Sequence, residues 1–218
     1  MKEIGNIYLS WRKGPGQIRH IVGLIRSSAN DGIRFAYNKK AVEEAMKEGF
    51  APYTEFPDIN KEYKENVIEI FGQRIIKSER SDIKDFYSFW EINERHKEDK
   101  YYMLAHTQGM LPTDNFEFLA DFHPVKELSF LTDIAGLTIL QLPLDTVKKG
   151  DELIFKYDPQ NSYDNKAVKV FKASQHIGYI KKVHCWVFHK KNGDKLKLKV
   201  KAVDQNGVIK RIFVKVSF

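Results

Sequence analysis

The chain has 218 residues, of which 42% are hydrophobic and 13% aromatic, and its net charge is +7 at neutral pH. This composition excludes a disordered chain and suits one large or two small domains. No apolar run reaches the ~18 residues of a membrane helix, and residues 1–14 lack the apolar core of a signal peptide. The single cysteine, Cys185, cannot form an internal disulfide, so we expect a cytoplasmic protein with no membrane partner.

Residues 1–123 predict an α+β domain. Four segments have the alternation and bounding turn residues of β-strands: residues 4–12, 18–26, 33–37 and 116–122. Three segments have the composition or periodicity of helices: residues 39–48, 81–93 and 99–106. The short apolar run at residues 67–76 fits either a strand or a helix. We place the domain boundary near residues 123/124.

Residues 124–218 predict a mainly β domain, because helical patterns fade after Pro124. Six runs are β-like: residues 128–140, 152–157, 167–171, 176–180, 195–203 and 207–216. Asn192-Gly193 and Asn206-Gly207 are hairpin turn signals. Short strands and turns at this spacing indicate a small barrel or a sandwich.

The positive charge belongs to the second domain. Residues 124–218 hold 18 Lys and Arg against 9 Asp and Glu, a net charge of +9, whereas residues 1–123 hold 18 against 20, a net charge of −2. Five aromatic residues lie among the lysines: Tyr157, Tyr163, Tyr179, Trp186 and Phe188. Single-stranded nucleic acid is held by basic grooves with stacking rings. The alternatives are lysines that serve only solubility and rings that fill the core.

The motifs of common enzymes are missing from the sequence. It has no phosphate-binding loop, dinucleotide fingerprint or nucleophile elbow. His184 precedes Cys185, but neighbours on a strand point to opposite faces, so we do not expect a catalytic pair. The histidines and the cysteine lack the paired spacing of a zinc site. We expect a protein that is not an enzyme and needs no cofactor or metal; the remaining enzyme hypothesis is a metal-dependent nuclease using carboxylates of the first domain.

A motif in the second domain resembles a known family. Its elements are Gly150-Asp151, Asp158-Pro159, Asn161, Tyr163-Asp164, Ala167-Val168, Val170 and Ile177-Gly178-Tyr179-Ile180. With Ala135-Gly136-Leu137 as the first strand, the match covers about residues 134–215 and resembles the HIRAN domain. The resemblance implies a modified OB-like β-barrel that binds single-stranded DNA, and in one helicase of the family it captures the 3′ end.

The resemblance also implies which residues contact nucleic acid. Tyr163 and Asp164 match a Tyr-Asp element whose carboxylate accepts the terminal 3′-hydroxyl. Tyr179 takes the place of a histidine in the family motif, and Lys182 matches a basic residue. The full predicted nucleic-acid-binding set is Tyr163, Asp164, Lys166, Tyr179, Lys181 and Lys182.

This sequence departs from the family at one position that matters for binding. Where that helicase has Arg-Tyr-Tyr, this chain has Thr138-Ile139-Leu140, so one cation and part of the stacking platform are missing. Capture of a 3′ end is therefore a narrower expectation than general affinity for single strands or DNA ends. We expect Asn161 to hydrogen-bond the backbone of its own loop rather than a ligand.

The first domain resembles the N-terminal part of bacterial HIRAN proteins and, weakly, the N-terminal subdomain of HipA-type toxins. The segments are Phe35-Ala36-Tyr37, Gly49-Phe50-Ala51-Pro52-Tyr53, Phe56-Pro57-Asp58, Phe71-Gly72-Gln73-Arg74 and Thr113-Asp114-Asn115-Phe116. We expect an accessory domain with a possible protein partner, docked on the aromatic segment 50–63. The alternative function is therefore a protein–protein interaction module in a DNA-repair, phage-defence or toxin–antitoxin setting.

Overall fold

The computed structural model describes residues 3–218, which form two compact units. The first unit is Ile4–Asp121, and the second is Phe122–Phe218 together with Glu3. The division thus falls close to the residues 123/124 expected from the sequence. In the described part of the chain, no helix has the length and apolar character needed to cross a membrane.

The first unit is built on a five-stranded sheet with strand order β4-β3-β2-β1-β5. Its strands are β1 (Ile4–Trp11), β2 (His20–Ser28), β3 (Gly32–Tyr37), β4 (Glu62–Tyr63) and β5 (Phe116–Phe122). Its helices are α1 (Lys39–Met46), α2 (Val67–Gly72), α3 (Ile83–Trp90), α4 (Lys100–Thr107) and a 3₁₀ turn at Glu94–His96. The helices expected at residues 39–48, 81–93 and 99–106 correspond to α1, α3 and α4. The undecided run 67–76 contains α2.

Aromatic side chains fill the core of the first unit. The ring of Phe71 lies 5.1 Å from each of Phe35, Phe56 and Phe118, centroid to centroid. Phe35, Phe71 and Phe118 are fully buried and Phe56 is 2% exposed. Burial of such rings is a large part of what stabilises a fold. The docking role expected for residues 50–63 stays a prediction, but Phe50 and Phe56 are buried in the core, so only other residues of the segment can meet a partner.

The second unit is a six-stranded antiparallel sheet with strand order β6-β11-β10-β7-β8-β9. The strands are β6 (Ser129–Asp133), β7 (Glu152–Asp158), β8 (Ala167–Lys172), β9 (Gln175–Tyr179), β10 (Lys197–Asn206) and β11 (Val208–Ser217). Between them lie α5 (Leu137–Leu140) and two 3₁₀ helices, His184–His189 and Gly193–Lys195. The hairpin signal Asn206-Gly207 is confirmed between β10 and β11, where Gly207 has φ +70°.

The expected barrel is not closed within the described residues of this unit. Beyond the named strands, one bridge between Ala135 and Tyr179 links the β6 side to β9, with N–H···O distances of 2.8 and 2.9 Å. The run 128–140 was expected to be a strand throughout, but β6 ends at Asp133. The chain then turns at Gly136, with φ +88°, into the single-turn α5. Few residues are therefore left to extend the pairing, and the sheet stays open.

The second hairpin signal, Asn192-Gly193, is wrong. Asn192 caps the second 3₁₀ helix and Gly193 is its first residue, so the pair does not connect two strands. Asn192 is in the left-handed region with φ 67°, and a Cβ at Gly193 would stand 2.3 Å from the carbonyl oxygen of Phe188. Glycine is required there for a close approach to the backbone rather than for a hairpin.

Candidate nucleic-acid interface

The loop between β7 and β8 is held by its own side chains. Asn161 Oδ1 accepts hydrogen bonds from the backbone N–H groups of Tyr163 and Asp164, at 3.0 and 3.1 Å. Asp164 Oδ1 accepts a third from the N–H of Lys166, at 2.9 Å. Such bonds replace backbone pairing in tight turns. The scaffold role expected for Asn161 is confirmed, and Asp164 uses one of its two oxygens in the same way.

The fixed loop exposes an aromatic ring and an ammonium group. Tyr163 is 88% exposed, so its ring adds little to the core. Lys166 is also exposed, and its carbonyl oxygen lies 2.9 Å from His189 Nε2. Because a carbonyl oxygen only accepts, Nε2 carries the proton in this contact. The result is a stacking surface and a cation on a backbone that is already ordered.

Asp158 connects this loop to β9. Its Oδ2 accepts hydrogen bonds from Asn161 Nδ2 at 3.3 Å and from the Tyr179 hydroxyl at 3.2 Å, and it lies 3.0 Å from Lys169 Nζ. The bond from Lys169 is the main reason why the pKa of the Asp158 carboxyl is lowered. The sequence indicates only turn chemistry for Asp158-Pro159. Its partners on β8 and β9 could not be predicted, because no local pattern pairs it with residues 11 and 21 positions away.

The second oxygen of Asp164 faces the turn that follows β9. The Sγ atom of Cys185 lies 4.0 Å from Asp164 Oδ2, and the thiol donates to the carbonyl oxygen of Lys182 at 2.7 Å. Cys185 is fully buried, and this burial, followed by the charge of Asp164, raises the pKa of its thiol to about 12. The thiol is therefore protonated at neutral pH and can serve as a donor. The thiol thus lies between the carboxylate of Asp164 and the backbone carbonyl of Lys182.

His184 and Cys185 were expected on a strand but lie in a 3₁₀ helix. Their side chains still have different partners. His184 Nδ1 lies 2.8 Å from Thr132 Oγ1, whereas the Cys185 thiol points to Lys182 and Asp164. Across residues 3–218, no three His, Cys, Asp or Glu side chains are grouped so as to hold a metal ion.

The prediction for Lys181 is wrong. Its side chain is 2% exposed and forms an ion pair with the carboxylate of Asp133, which also lies 3.7 Å from Arg211 Nε. Moving this ammonium to a phosphate would leave a buried carboxylate without its main partner, which is costly. Lys182 is exposed and is not restrained in this way. Which of two adjacent lysines faces solvent is decided by the turn after β9.

The five aromatic residues noted in the sequence divide between core and surface. Phe188 is 1% exposed and packs against Phe155, so the core alternative holds for it. Tyr157 is 45% exposed, although its hydroxyl donates to the carbonyl oxygen of Phe188 at 2.8 Å. Tyr163 is the most exposed of the set, whereas Tyr179 and Trp186 are half-buried.

The segment that departs from the family motif lies next to Tyr179. A Cβ placed on Gly136 would be 3.7 Å from the ring of Tyr179, and α5 starts directly after this glycine. Ile139 in α5 is 87% exposed. Where the resemblance implies a ring, this chain thus presents an aliphatic side chain to solvent, which can cover a base but cannot stack as a π-system.

An antiparallel sheet of short strands that displays rings and lysines is typical of small nucleic-acid-binding modules. Residues 128–202, about a third of the chain, match the family model of the HIRAN domain. The second unit therefore carries a HIRAN domain, and the resemblance found in the sequence is confirmed. As a family, HIRAN domains bind DNA. The resemblance of the first unit to bacterial proteins stays a prediction.

Two solved structures are similar to this chain. The HIRAN domain of human HLTF shares 20% identity, with 40% of this chain and 74% of that chain covered and a TM-score of 0.33. A protein from Lactobacillus plantarum shares 15% identity, with 42% of this chain and 99% of that chain covered and a TM-score of 0.29. Comparison with curated proteins finds no match.

Proposed function

We propose that the second unit binds single-stranded DNA, with a preference for a 3′-hydroxyl end, and that it does so without catalysing a reaction. The HIRAN match over residues 128–202 supports the class of ligand. The observation that carries the preference for an end is the placement of an exposed ring, Tyr163, and a carboxylate, Asp164, on one ordered loop. In the proposed complex, the first unit is an accessory domain. A buried, unpaired cysteine suits a reducing compartment, so the proposed location is the cytoplasm.

Each side chain has a definite role in this proposal. The rings of Tyr163 and Tyr179 stack on the last bases, and a stacked base contributes ~1–3 kcal/mol. Lys166 and Lys182 contact phosphates. Asp164 Oδ2 accepts the hydrogen bond of the terminal hydroxyl, while Oδ1 keeps its bond to the loop. An ionised carboxylate attracts a hydroxyl donor and repels a phosphate, so a 3′-phosphorylated strand should bind more weakly.

Fluorescence anisotropy with the full chain tests this proposal. The probes are a labelled ten-nucleotide strand with a 3′-hydroxyl, the same strand with a 3′-phosphate, and a blunt duplex. The variant is Asp164→Asn, which keeps an oxygen to accept the Lys166 N–H but removes the charge. We expect the wild type to prefer the hydroxyl end by about tenfold, as one charge-assisted contact allows. Asp164→Asn should bind both single strands alike.

The matched control is Glu127→Gln, which also removes one exposed carboxylate from the second unit. Glu127 precedes the start of β6, whereas the bridge to Tyr179 lies beyond the other end of that strand. This control should leave the preference unchanged. Binding should weaken with salt, with a log–log slope of about −1.4 if two phosphates are neutralised. Equal affinity for hydroxyl and phosphate ends in the wild type would overturn end recognition, and no binding at low salt would overturn the whole proposal.

A further inference from the structure

Three aromatic rings form a row on the outer face of β8 and β9. The ring centroids of Phe171 and His176 are 5.3 Å apart, and those of His176 and Tyr179 are 5.0 Å apart. Val168 and Val170 alternate with Phe171 along β8 and are fully buried, so Phe171 points away from the core. All three rings are half-buried and show part of their surface to solvent. The row starts at Tyr179 in the proposed end-binding surface and leads away from it.

The row is held in place by hydrogen bonds at two of its three positions. His176 Nε2 donates to the carbonyl oxygen of Gly178 at 3.0 Å, and the Tyr179 hydroxyl donates to Asp158. Rings that are already oriented lose little conformational freedom when a ligand stacks on them. This favours a stacking surface over a set of mobile side chains.

Two lysines line the same face. Lys156 on β7 is directly opposite Lys169 on β8, an arrangement of like charges that disfavours folding. The charge of Lys169 is compensated by Asp158, whose Oδ2 lies 3.0 Å from Lys169 Nζ. Lys156 is exposed, with its Nζ 5.2 Å from the centroid of the Phe171 ring. The neighbouring Ile154, opposite Phe171, is 53% exposed. The face thus combines a cation, exposed apolar surface and rings.

We propose that Phe171, His176 and Lys156 form a second segment of the binding site, which holds the nucleotides on the 5′ side of those at Tyr163 and Tyr179. Bases stack on the two rings and Lys156 contacts the backbone phosphate. This inference rests on the proposed function and extends it, since it makes the site longer than an end-binding pocket. With one base on each of the four rings, the site holds about four nucleotides, the lower end of the ~4–16 that one OB-type fold occupies. The ligand is an unpaired strand, because a duplex hides the faces of its bases from these rings.

Oligonucleotide length provides the test. The affinities of the full chain for 3′-hydroxyl strands of three and ten nucleotides are measured by anisotropy. We expect the ten-nucleotide strand to bind at least tenfold more tightly, since the short strand cannot reach Phe171. Lys156→Ala and His176→Ala should each remove most of this difference and leave the three-nucleotide affinity unchanged. Phe171→Ala should do the same, and the other two variants keep the test valid if it does not fold.

The control is Lys197→Ala. Lys197 is an exposed lysine on β10, so this substitution removes one positive charge outside the aromatic row. The length effect should survive in this control. If Lys156→Ala and His176→Ala bind the ten-nucleotide strand as well as the wild type does, the second segment does not exist, while the end-binding proposal is untouched. A loss of affinity that is equal for both strand lengths also overturns the inference, because the variants then act on the end-binding surface formed by Tyr163, Asp164 and Tyr179. If neither strand binds the wild type, the proposed function fails and the inference fails with it.

Discussion

Both units bury aromatic rings, but the second unit also presents rings at its surface. In Ile4–Asp121 the rings of Phe35, Phe56 and Phe71 contact one another inside the core. In the second unit Tyr163 is exposed and the row from Phe171 to Tyr179 is half-buried on an outer face. Aromatic content therefore does not identify a binding surface. What distinguishes a binding candidate such as Tyr163 from a core ring such as Phe56 is the exposure of the ring to solvent.

Buried cations show that positive charge, like aromatic content, does not by itself identify a binding surface. In the first unit Arg74 donates two hydrogen bonds of 2.7 Å to the carboxylate of Asp114, with 8% of its side chain exposed. In the second unit Lys181 is paired with Asp133. Both cations belong to the fold rather than to a ligand site. A net charge of +9 thus overstates how many lysines can meet a polyanion.

The largest expected effect on stability comes from replacing a core ring with alanine, and the replacement of a surface ring is the comparison. Phe56→Ala should lower the free energy of unfolding by about 3–5 kcal/mol, because it opens a cavity in the aromatic core. Tyr163→Ala should change it by less than about 0.5 kcal/mol. Urea denaturation followed by circular dichroism measures both. Equal shifts in midpoint would show that the two rings do not differ in their contribution to folding.

The adjacent lysines give a sharper version of the comparison. Lys181→Ala should destabilise the protein by about 3 kcal/mol, since it leaves the buried carboxylate of Asp133 without this ion pair. Lys182→Ala should change stability by less than about 0.5 kcal/mol and should instead weaken DNA binding. The same denaturation experiment, together with anisotropy, separates the two. Loss of binding without loss of stability in Lys181→Ala would contradict its assignment to the core.

A smaller effect is expected for the loop. Asn161→Ala removes the acceptor of two backbone hydrogen bonds and should cost about 1 kcal/mol, because water can replace part of the loss. Binding of the 3′-hydroxyl strand should fall as well, since Tyr163 and Asp164 are no longer positioned. Asn165→Ala, at an exposed neighbour in the same loop, is the matched control. The prediction fails if both variants behave alike in both assays.

The smallest effect on the free energy of unfolding near neutral pH is expected for the ionisation of Cys185. Its buried thiol should resist a thiol reagent at pH 8 in the native protein and react once the chain is unfolded. In the unfolded chain the thiol loses its proton near pH ~8.5, whereas in the native state its pKa is about 12. Between these values only the native state keeps the proton, so the free energy of unfolding should fall as pH rises.

Cys185→Ala is the control for this pH dependence. The variant should lose less stability than the wild type between pH 8.5 and 10. Buried tyrosines, whose pKa values are also raised by burial, should still cause a decline at higher pH in both proteins; Tyr37 and Tyr101 are the strongest cases. Rapid modification of native Cys185 at pH 8 would contradict the buried position.

Part of the site could be read from the sequence because its chemistry is local. Asn161 lies two and three residues before the N–H groups that it binds, and such turns depend on neighbouring residues alone. Asp158 shows the limit of prediction from local sequence, because its bonds to Lys169 and Tyr179 join segments that are far apart in the chain. The early end of β6 is a similar case, since the helical turn after Gly136 interrupts a run that has the composition of a strand.

The sequence by itself determined the HIRAN domain of the second unit, the order of strands and helices in outline, and the loop that carries Tyr163 and Asp164, since these depend on spacing, alternation and turn residues. Only the tertiary structure decided which side of each element meets solvent. Lys181 and Lys182 are neighbours of the same type, yet one is paired inside the fold and the other is exposed. Phe56 and Tyr163 are both aromatic, yet Phe56 lies in the core and Tyr163 is exposed. Alternation shows that two residues face apart, but the choice of buried face is made by distant chain segments that pack against it.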